Sequence, residues 1–243
     1  DNNRRRIKLL EDSVRLLFDE WFVRLRYPGH DSVRVREGWP EDWGRSTLQE
    51  LCVAESGIQT GPFGSQLHQS DYTDEGVPVV MPKDLATFRV STETAARIPA
   101  HLADELGRHR MQRGDIVFGR RGEIGRRAYI GARQKGYFCG TGCLRLRPDS
   151  VRVNPRFLFE ILGAPAVAGE IANRAKGSTM ANLSAGALQS VVVPVPPRQL
   201  QDQFAPFAED AGEMIDTLEE QCGRLRAARD LLLPRLMSGE LAV

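Results

Sequence analysis

The sequence predicts an α+β protein in which a mixed, β-rich domain lies between two long helices that form an antiparallel, coiled-coil-like spacer. Three observations predict this class. Apolar residues recur at helical spacing near each end of the 243-residue chain, short β-like runs alternate with glycine-rich turns in the middle, and the middle lacks repeating βα units.

Residues 1–30 predict a helix with one apolar face. The stripe consists of Ile7, Leu10, Val14, Leu17, Trp21 and Leu25, widened by Phe18 and Phe22. Steps of three and four residues place these side chains on one side of a helix. Pro28 and Gly29 predict its end, because proline cannot continue the helical hydrogen-bond ladder.

Residues 196–243 predict the second long helix, running from about 199 to 237. Its stripe consists of Leu200, Phe204, Phe207, Ala211, Met214, Leu218, Cys222 and Leu225, and resumes at Leu232 and Leu236. Pro206 and Pro234 are expected to bend or interrupt it. Neither helix can bury its stripe alone. We expect the two to pair with each other or with a partner copy, or else to pack on the core of the domain.

We expect residues 31–195 to form the central domain. Its β-like runs cover 77–81, 115–119, 127–130, 142–147 and 190–195, and a helical stretch covers 155–175. Short, irregularly spaced strands of this kind argue against a doubly wound nucleotide-binding sheet.

The charge is unevenly distributed. The formal net charge is only +1, but residues 107–156 contain 13 Lys and Arg against 3 Asp and Glu. A basic segment of this kind predicts a surface that attracts a polyanion such as nucleic acid. The alternative is a solvated surface without a partner.

The compartment follows from the cysteines and the hydropathy. The four cysteines are scattered, and no segment reaches the roughly 18 apolar residues needed to span a bilayer. We expect a reduced, cytoplasmic protein without a secretory signal. A start at Asp1 rather than Met suggests that upstream sequence is missing.

Motifs occur in order along the chain. Near the N-terminus they are Asn-Asn-Arg-Arg-Arg-Ile (2–7), Glu-Trp-Phe-Val-Arg (20–24) and Tyr-Pro-Gly-His (27–30). Inside the domain they are Gly-Pro-Phe-Gly-Ser (61–65), Arg-Gly-Asp-Ile-Val (113–117), Arg-Gly-Glu-Ile-Gly (121–125), Gly-Ser-Thr (177–179) and Leu-Ser (183–184). The closing motifs are Val-Pro-Pro (195–197) and a leucine- and arginine-rich run (225–241). With these motifs, nearly the whole chain resembles the specificity subunit of Type I restriction-modification systems.

The resemblance implies a non-enzymatic DNA-binding subunit. In that family each target recognition domain binds half of a split double-stranded DNA target, paired helices set the gap, and methyltransferase subunits dock on the helices. S-adenosylmethionine is then expected in the methyltransferase partner, with no cofactor bound by this chain, and a motor nuclease (restriction) subunit joins for cleavage. The usual chain has two recognition domains and this one has one, so it is either the second half of a longer chain or a half-length subunit that forms a homodimer.

Three predicted loops and one lysine offer side chains to DNA. Donors and acceptors that reach base edges recognise sequence, whereas contacts to phosphates fix the register. The candidates are Gln59, Thr60, Ser65 and Gln66 in the first loop, Lys83 after the run 77–81, Arg120, Arg121, Glu123 and Arg126 around a hairpin tip, and Lys176, Ser178, Thr179 and Asn182 after the predicted helix. Arginine suits the acceptor edge of guanine or a phosphate. For each loop the alternative is a structural or solvated turn.

Two other classes of function are compatible with parts of the sequence. Asp115 and Glu123 could hold Mg²⁺ in a divergent nuclease or DNA-modifying enzyme, but Gly125 occupies the place where a catalytic lysine is expected. Cys139 and Cys143 lack a second ligand pair at zinc-like spacing, so no metal is expected. The third class is an assembly protein that uses the helices as a scaffold.

Overall fold

The computed structural model describes residues 2–36, 39–86, 89–91, 95–122, 124–175, 182–238 and 240. Its helices are α1 (Asn2–Phe18, continued by a π-helical turn at Asp19–Val23), α2 (Leu48–Leu51), α3 (Ala100–Glu105), α4 (Pro155–Ile161), α5 (Pro165–Arg174), α6 (Ala185–Gln189) and α7 (Arg198–Met237). Its strands are β1 (Val35–Arg36), β2 (Trp39–Pro40), β3 (Gly44–Thr47), β4 (Ile58–Thr60), β5 (Val77–Val80), β6 (Arg97–Ile98), β7 (Ile116–Gly119), β8 (Arg127–Tyr129), β9 (Phe138–Cys139), β10 (Cys143–Leu146) and β11 (Val192–Val195).

The two long helices pair within the chain and run antiparallel. Near the start of α1, Asn3 Nδ2 donates to Gln221 Oε1 of α7 at 3.2 Å, and Ile7 packs with Ile215 and Leu218. At the other end of α1, Phe18 packs against Phe204, which lies near the start of α7. The predicted antiparallel pairing is therefore confirmed.

The same helices also pack on the core of the domain. Val14, Phe18 and Phe22 belong to the cluster that contains Phe157 of α4. Phe18 at the end of α1 and Phe22 in the π-helical turn both face this core. Pairing and packing on the core, which were alternatives in the sequence, both occur.

The buried face of α7 differs from the predicted one. Its buried side chains are Leu200, Gln201, Phe204, Ala205, Ala208, Ala211, Ile215 and Leu218. Phe207 and Met214, which were placed in the seam, are 45% and 48% exposed, so that part of the prediction is wrong. The alanines on the buried face allow α7 to approach α1 and the core closely, and this decides which side faces inward.

Pro206 and Pro234 were expected to bend or interrupt α7, and neither of them interrupts it. Pro206 lies on the exposed face. The carbonyl of Asp202, which has no amide partner because of Pro206, belongs to an exposed residue and can be hydrated. Packing of Phe204 and Ala208 on either side stabilises the helix through this point.

The predicted helix at 155–175 is two helices. α4 ends at Ile161, and α5 begins at Pro165. Proline is tolerated in the first turn of a helix, because a backbone N–H at that position has no partner within the helix. Asn154 caps α4 by accepting hydrogen bonds from the backbone of Arg156 and Phe157.

Strands β4, β10, β7 and β8 form an antiparallel sheet in that order. Alternate side chains point to opposite faces. Phe118 and Leu144 join the main core with α4, whereas Val117 and Cys143 pack with Val80 beneath a second sheet. In that sheet β5 pairs with β6 antiparallel and with β9 parallel.

β3 and β11 bring the two ends of the domain together. Thr47 lies opposite Val192 and Gly44 opposite Val195 in the antiparallel pair. The linker from α1 therefore enters next to the point where α7 leaves, which allows the two long helices to lie side by side. The domain boundaries at residues 30 and 195 remain predictions.

Candidate nucleic-acid interface

The turn at residues 140–142 connects the candidate loops. Thr141 Oγ1 donates to the carbonyl of Pro62 at 3.0 Å, and the backbone N–H of Arg120 donates to the carbonyl of Gly142 at 2.9 Å. The N–H of Gly140 donates to the carbonyl of Val80 at the end of β5. Segments that are far apart in sequence therefore meet at one turn.

The first loop begins at a glycine that the packing requires. A Cβ on Gly61 would lie 2.0 Å from the carbonyl oxygen of Gly140, so no other residue fits without backbone movement. Beyond it, Phe63 and Ser65 are exposed. Gln66 is half-buried, and its Oε1 accepts from Arg108 Nη2 at 3.1 Å.

Gln59 and Thr60 lie in strand β4 rather than in the loop. Gln59 is half-buried, and its Oε1 accepts from the buried Arg145 at 2.9 Å. This bond fixes the orientation of the Gln59 amide, whose N–H groups remain able to donate.

His109 packs beneath the end of β4. It is 3% exposed, and its Nε2 accepts from Arg108 Nε at 3.1 Å. Burial, together with Arg108 and Arg145, lowers the pKa of His109 to about 4, while a hydrogen bond to the backbone of Thr60 acts in the opposite direction. The ring is therefore neutral at pH 7 and links Thr60 to Arg108.

The hairpin between β7 and β8 presents the arginines. The N–H of Gly119 donates to the carbonyl of Arg126, and Gly122 and Gly125 have φ of 77° and 100° in the turn, a conformation that favours glycine. Arg121 and Arg126 are exposed, whereas Arg120 is half-buried.

Asn182 lies directly beside this hairpin. Arg120 Nε donates to Asn182 Oδ1 at 3.3 Å, Arg121 and Asn182 form an isolated β-bridge, and the N–H of Leu183 donates to the carbonyl of Arg120 at 2.9 Å. Arginine has no acceptor, and the Asn182 oxygen is already bound. The Arg120–Asn182 pair therefore presents mainly hydrogen-bond donors, with one lone pair of Asn182 Oδ1 remaining as an acceptor.

Lys83 lies close to the same turn. It is exposed in the segment that follows β5, and a Cβ on Gly142 would lie 3.3 Å from Pro82 Cγ. Four of the predicted site residues, Glu123, Lys176, Ser178 and Thr179, lie outside the described residues.

Much of the basic charge between residues 107 and 156 is used inside the molecule. Arg113 and Arg133 pair with Glu209 and Glu220 of α7, Arg147 pairs with Asp115, and Arg156 pairs with Glu160. The sequence count therefore overstates the unneutralised basic surface, to which Arg121 and Arg126 of the hairpin contribute exposed guanidinium groups.

Asp115 does not form a metal site with the described residues. It is 1% exposed, and both its carboxylate oxygens accept from Arg147 at 2.8 Å. Among the described residues, no cluster of His, Cys, Asp and Glu suits a metal ion. Burial raises the pKa of Cys139 to about 12, which makes this thiol inert. None of the helices in the described part of the chain is long and apolar enough to cross a membrane.

The sequence interpretation missed residues 140–142 and Phe63. The Gly-Thr-Gly run lies between Cys139 and Cys143, whose spacing does not fit a zinc site. Its small residues also indicate a close approach of two backbone segments, and that signal could have identified the turn. Phe63 was part of a motif, but nothing in the sequence indicates that its ring is exposed.

Comparison with known proteins now decides the family. The model described as Type I restriction modification DNA specificity domain matches residues 40–222, which include the sheet, the hairpin and the turn at 140–142. This chain belongs to that family.

Relatives of the specificity family agree with this assignment. The putative type I restriction enzyme MjaX specificity subunit of Methanocaldococcus jannaschii is 22% identical over 82% of this chain and 46% of the relative. The MjaIX specificity subunit of the same organism is 23% identical over 100% of this chain and 55% of the relative. The chain thus spans about half the length of these relatives.

Solved structures share the fold. The S subunit of the Type-I restriction-modification system from M. genitalium superposes with a TM-score of 0.61 at 17% identity, over 96% of this chain and 54% of that one. A chain from a study of complex assembly and conformational transition in the type I R-M system superposes with a TM-score of 0.54 at 20% identity. The match covers 94% of this chain and 51% of that one.

Proposed function

We propose that this chain is a non-catalytic recognition unit that binds one half of a split double-stranded DNA target. The observation that supports it most directly is the convergence of Phe63, Lys83, Arg120, Arg121 and Asn182 around one turn, in a chain of the specificity family. The exposed arginines suit phosphates or the acceptor edge of guanine, and Asn182 lies beside them in space despite its distance in sequence.

The helices support the second part of the proposal, which concerns partners. Beyond Gln221, which lies opposite the start of α1, α7 presents several apolar side chains to solvent. Its exposed apolar side chains there are Leu225, Leu231, Leu232, Leu233, Leu236 and Met237. A contiguous exposed apolar surface marks an interaction site. Methyltransferase subunits, which supply S-adenosylmethionine and the chemistry, dock on this region, and a restriction subunit joins that assembly.

The second half-site is bound by a second unit of the same kind. That unit belongs either to the same longer chain or to a second copy that pairs through the helices. Two units related by a two-fold axis would recognise an interrupted palindrome.

Selection from random duplexes tests the proposal. Purified chain, with and without a methyltransferase subunit, is incubated with a randomised duplex library, and the bound fraction is sequenced. We expect an enriched half-site whose affinity falls steeply with salt, and DNA methylation only when the methyltransferase is present. Cleavage or modification by the chain alone would instead support an enzyme, and salt-insensitive assembly without duplex binding would support a scaffold.

A further inference from the structure

Phe63 presents an aromatic ring to solvent on a fixed backbone. The side chain is 62% exposed, and within the described residues the other exposed phenylalanine is Phe207 of α7. The carbonyl of Phe63 accepts from the N–H of Gln66 at 2.8 Å and from that of Leu67 at 3.3 Å. Leu67 is 5% exposed and packs in the core with Val79 and Phe138, so the turn is anchored from below.

The residues before Phe63 are equally constrained. Gly61 lies against the backbone of Gly140 with no room for a side chain, and the carbonyl of Pro62 is bound by Thr141. The loop therefore cannot rotate to bury the ring without breaking these contacts. The backbone thus holds residue 63 at the surface of the domain.

The backbone next to Phe63 is anchored at the same turn as the arginine hairpin. Pro62 and Arg120 are bound by the adjacent residues Thr141 and Gly142. A duplex whose phosphates or guanine edges contact the arginines would therefore bring its stacked bases close to Phe63. Apolar side chains in such positions enter between base pairs and unstack them.

We propose that Phe63 is a wedge that inserts between two adjacent base pairs when the arginine hairpin binds the duplex. This inference rests on the proposed function. Unstacking costs least at pyrimidine–purine steps, so the wedge adds a preference for a TA, CA or TG step beside the bases that the hairpin contacts. Part of the sequence specificity would then come from deformability rather than from hydrogen bonds.

The test uses the selected duplex with 2-aminopurine at successive positions. We expect wild-type chain to raise the fluorescence at one step. Phe63→Ala should abolish that rise and weaken binding by about 10- to 100-fold, whereas Phe63→Leu should retain part of both, because leucine can also act as a wedge. Phe207→Ala is the matched control, and it should leave the fluorescence and the affinity unchanged.

Three results would overturn the wedge. In the first, wild type binds the duplex tightly without any fluorescence change, which leaves the proposed function intact. In the second, Phe63→Ala binds and unstacks like wild type. In the third, Phe63→Ala keeps its DNA affinity but no longer co-elutes with a methyltransferase subunit, which assigns the ring to a protein interface. Failure of wild type to bind any duplex would instead refute the proposed function itself.

Discussion

Phe18 of α1 and Phe204 of α7 meet edge to face, with ring centroids 5.7 Å apart and planes at 70°. Phe22 packs against both, at 5.0 and 5.3 Å, and its ring is 4.9 Å from that of Phe157 in α4. One aromatic cluster thus joins the two helices to each other and to the domain.

Truncation within this cluster should destabilise the protein. Phe204→Ala removes a fully buried ring, and we expect the free energy of unfolding to fall by about 3–5 kcal/mol in urea denaturation. Phe207→Ala, three residues along the same helix, should change it by less than about 0.5 kcal/mol, because that ring is exposed. Equal losses of stability from the two substitutions would show that Phe207 is buried in the seam, as the sequence predicted.

His109 should make stability depend on pH. Its pKa is lowered from 6.5 to about 4 in the folded protein, chiefly by burial. Between pH 6.5 and about 4, this histidine binds a proton in the unfolded chain but not in the folded protein. The stabilisation is therefore fully present above pH 6.5 and is lost as the pH falls toward 4. We expect wild type to lose up to about 2 kcal/mol between pH 7.5 and 4.5 relative to His109→Gln. Parallel pH profiles in urea denaturation would contradict this.

The hairpin arginines should govern DNA binding. Arg120→Ala with Arg121→Ala should weaken binding to the selected duplex by at least about 10-fold, with a shallower salt dependence, in a fluorescence titration. The control is Arg133→Ala with Arg152→Ala, which removes the same charge from the same basic segment. Arg133 contacts α7 and Arg152 contacts the backbone of Glu50. Equal losses in both double variants would indicate a general charge effect.

The Arg120–Asn182 pair should favour guanine. Because the two side chains present mainly N–H donors, the pair matches the N7 and O6 acceptors of guanine better than the amino group of cytosine. We expect a guanine in the selected half-site whose replacement by 7-deazaguanine weakens binding by about 10-fold or more. Asn182→Asp should relax the preference at that position alone. A half-site without such a guanine would show that the pair contacts phosphates.

The sequence predicted the two long helices and five of the strands, β5, β7, β8, β10 and β11, to within a few residues, because periodicity and prolines report local geometry. The remaining described strands and the short helices α2, α3 and α6 were not predicted. The expected run at 190–195 is β11, Val192–Val195, and the second long helix ends at Met237 as expected. The side of α7 that is buried was not predictable from its own periodicity, since Phe207 and Ala208 differ by one position and only the neighbouring helix and core select between them.

The sequence revealed some of the residues of the candidate site but not their arrangement in space. Arg120 and Arg121 were identified from a glycine-flanked tip, but whether Arg113, Arg133 or Arg147 faces solvent depends on acidic partners that lie up to 96 positions away along the chain. The sequence alone determined an α+β chain with two terminal helices and a basic middle, because these follow from local periodicity and charge. The tertiary structure alone decided that the hairpin, the Gly-Pro-Phe-Gly-Ser loop and Asn182 meet at the turn of residues 140–142. That meeting depends on hydrogen bonds between loop residues distant in sequence, which no local pattern specifies.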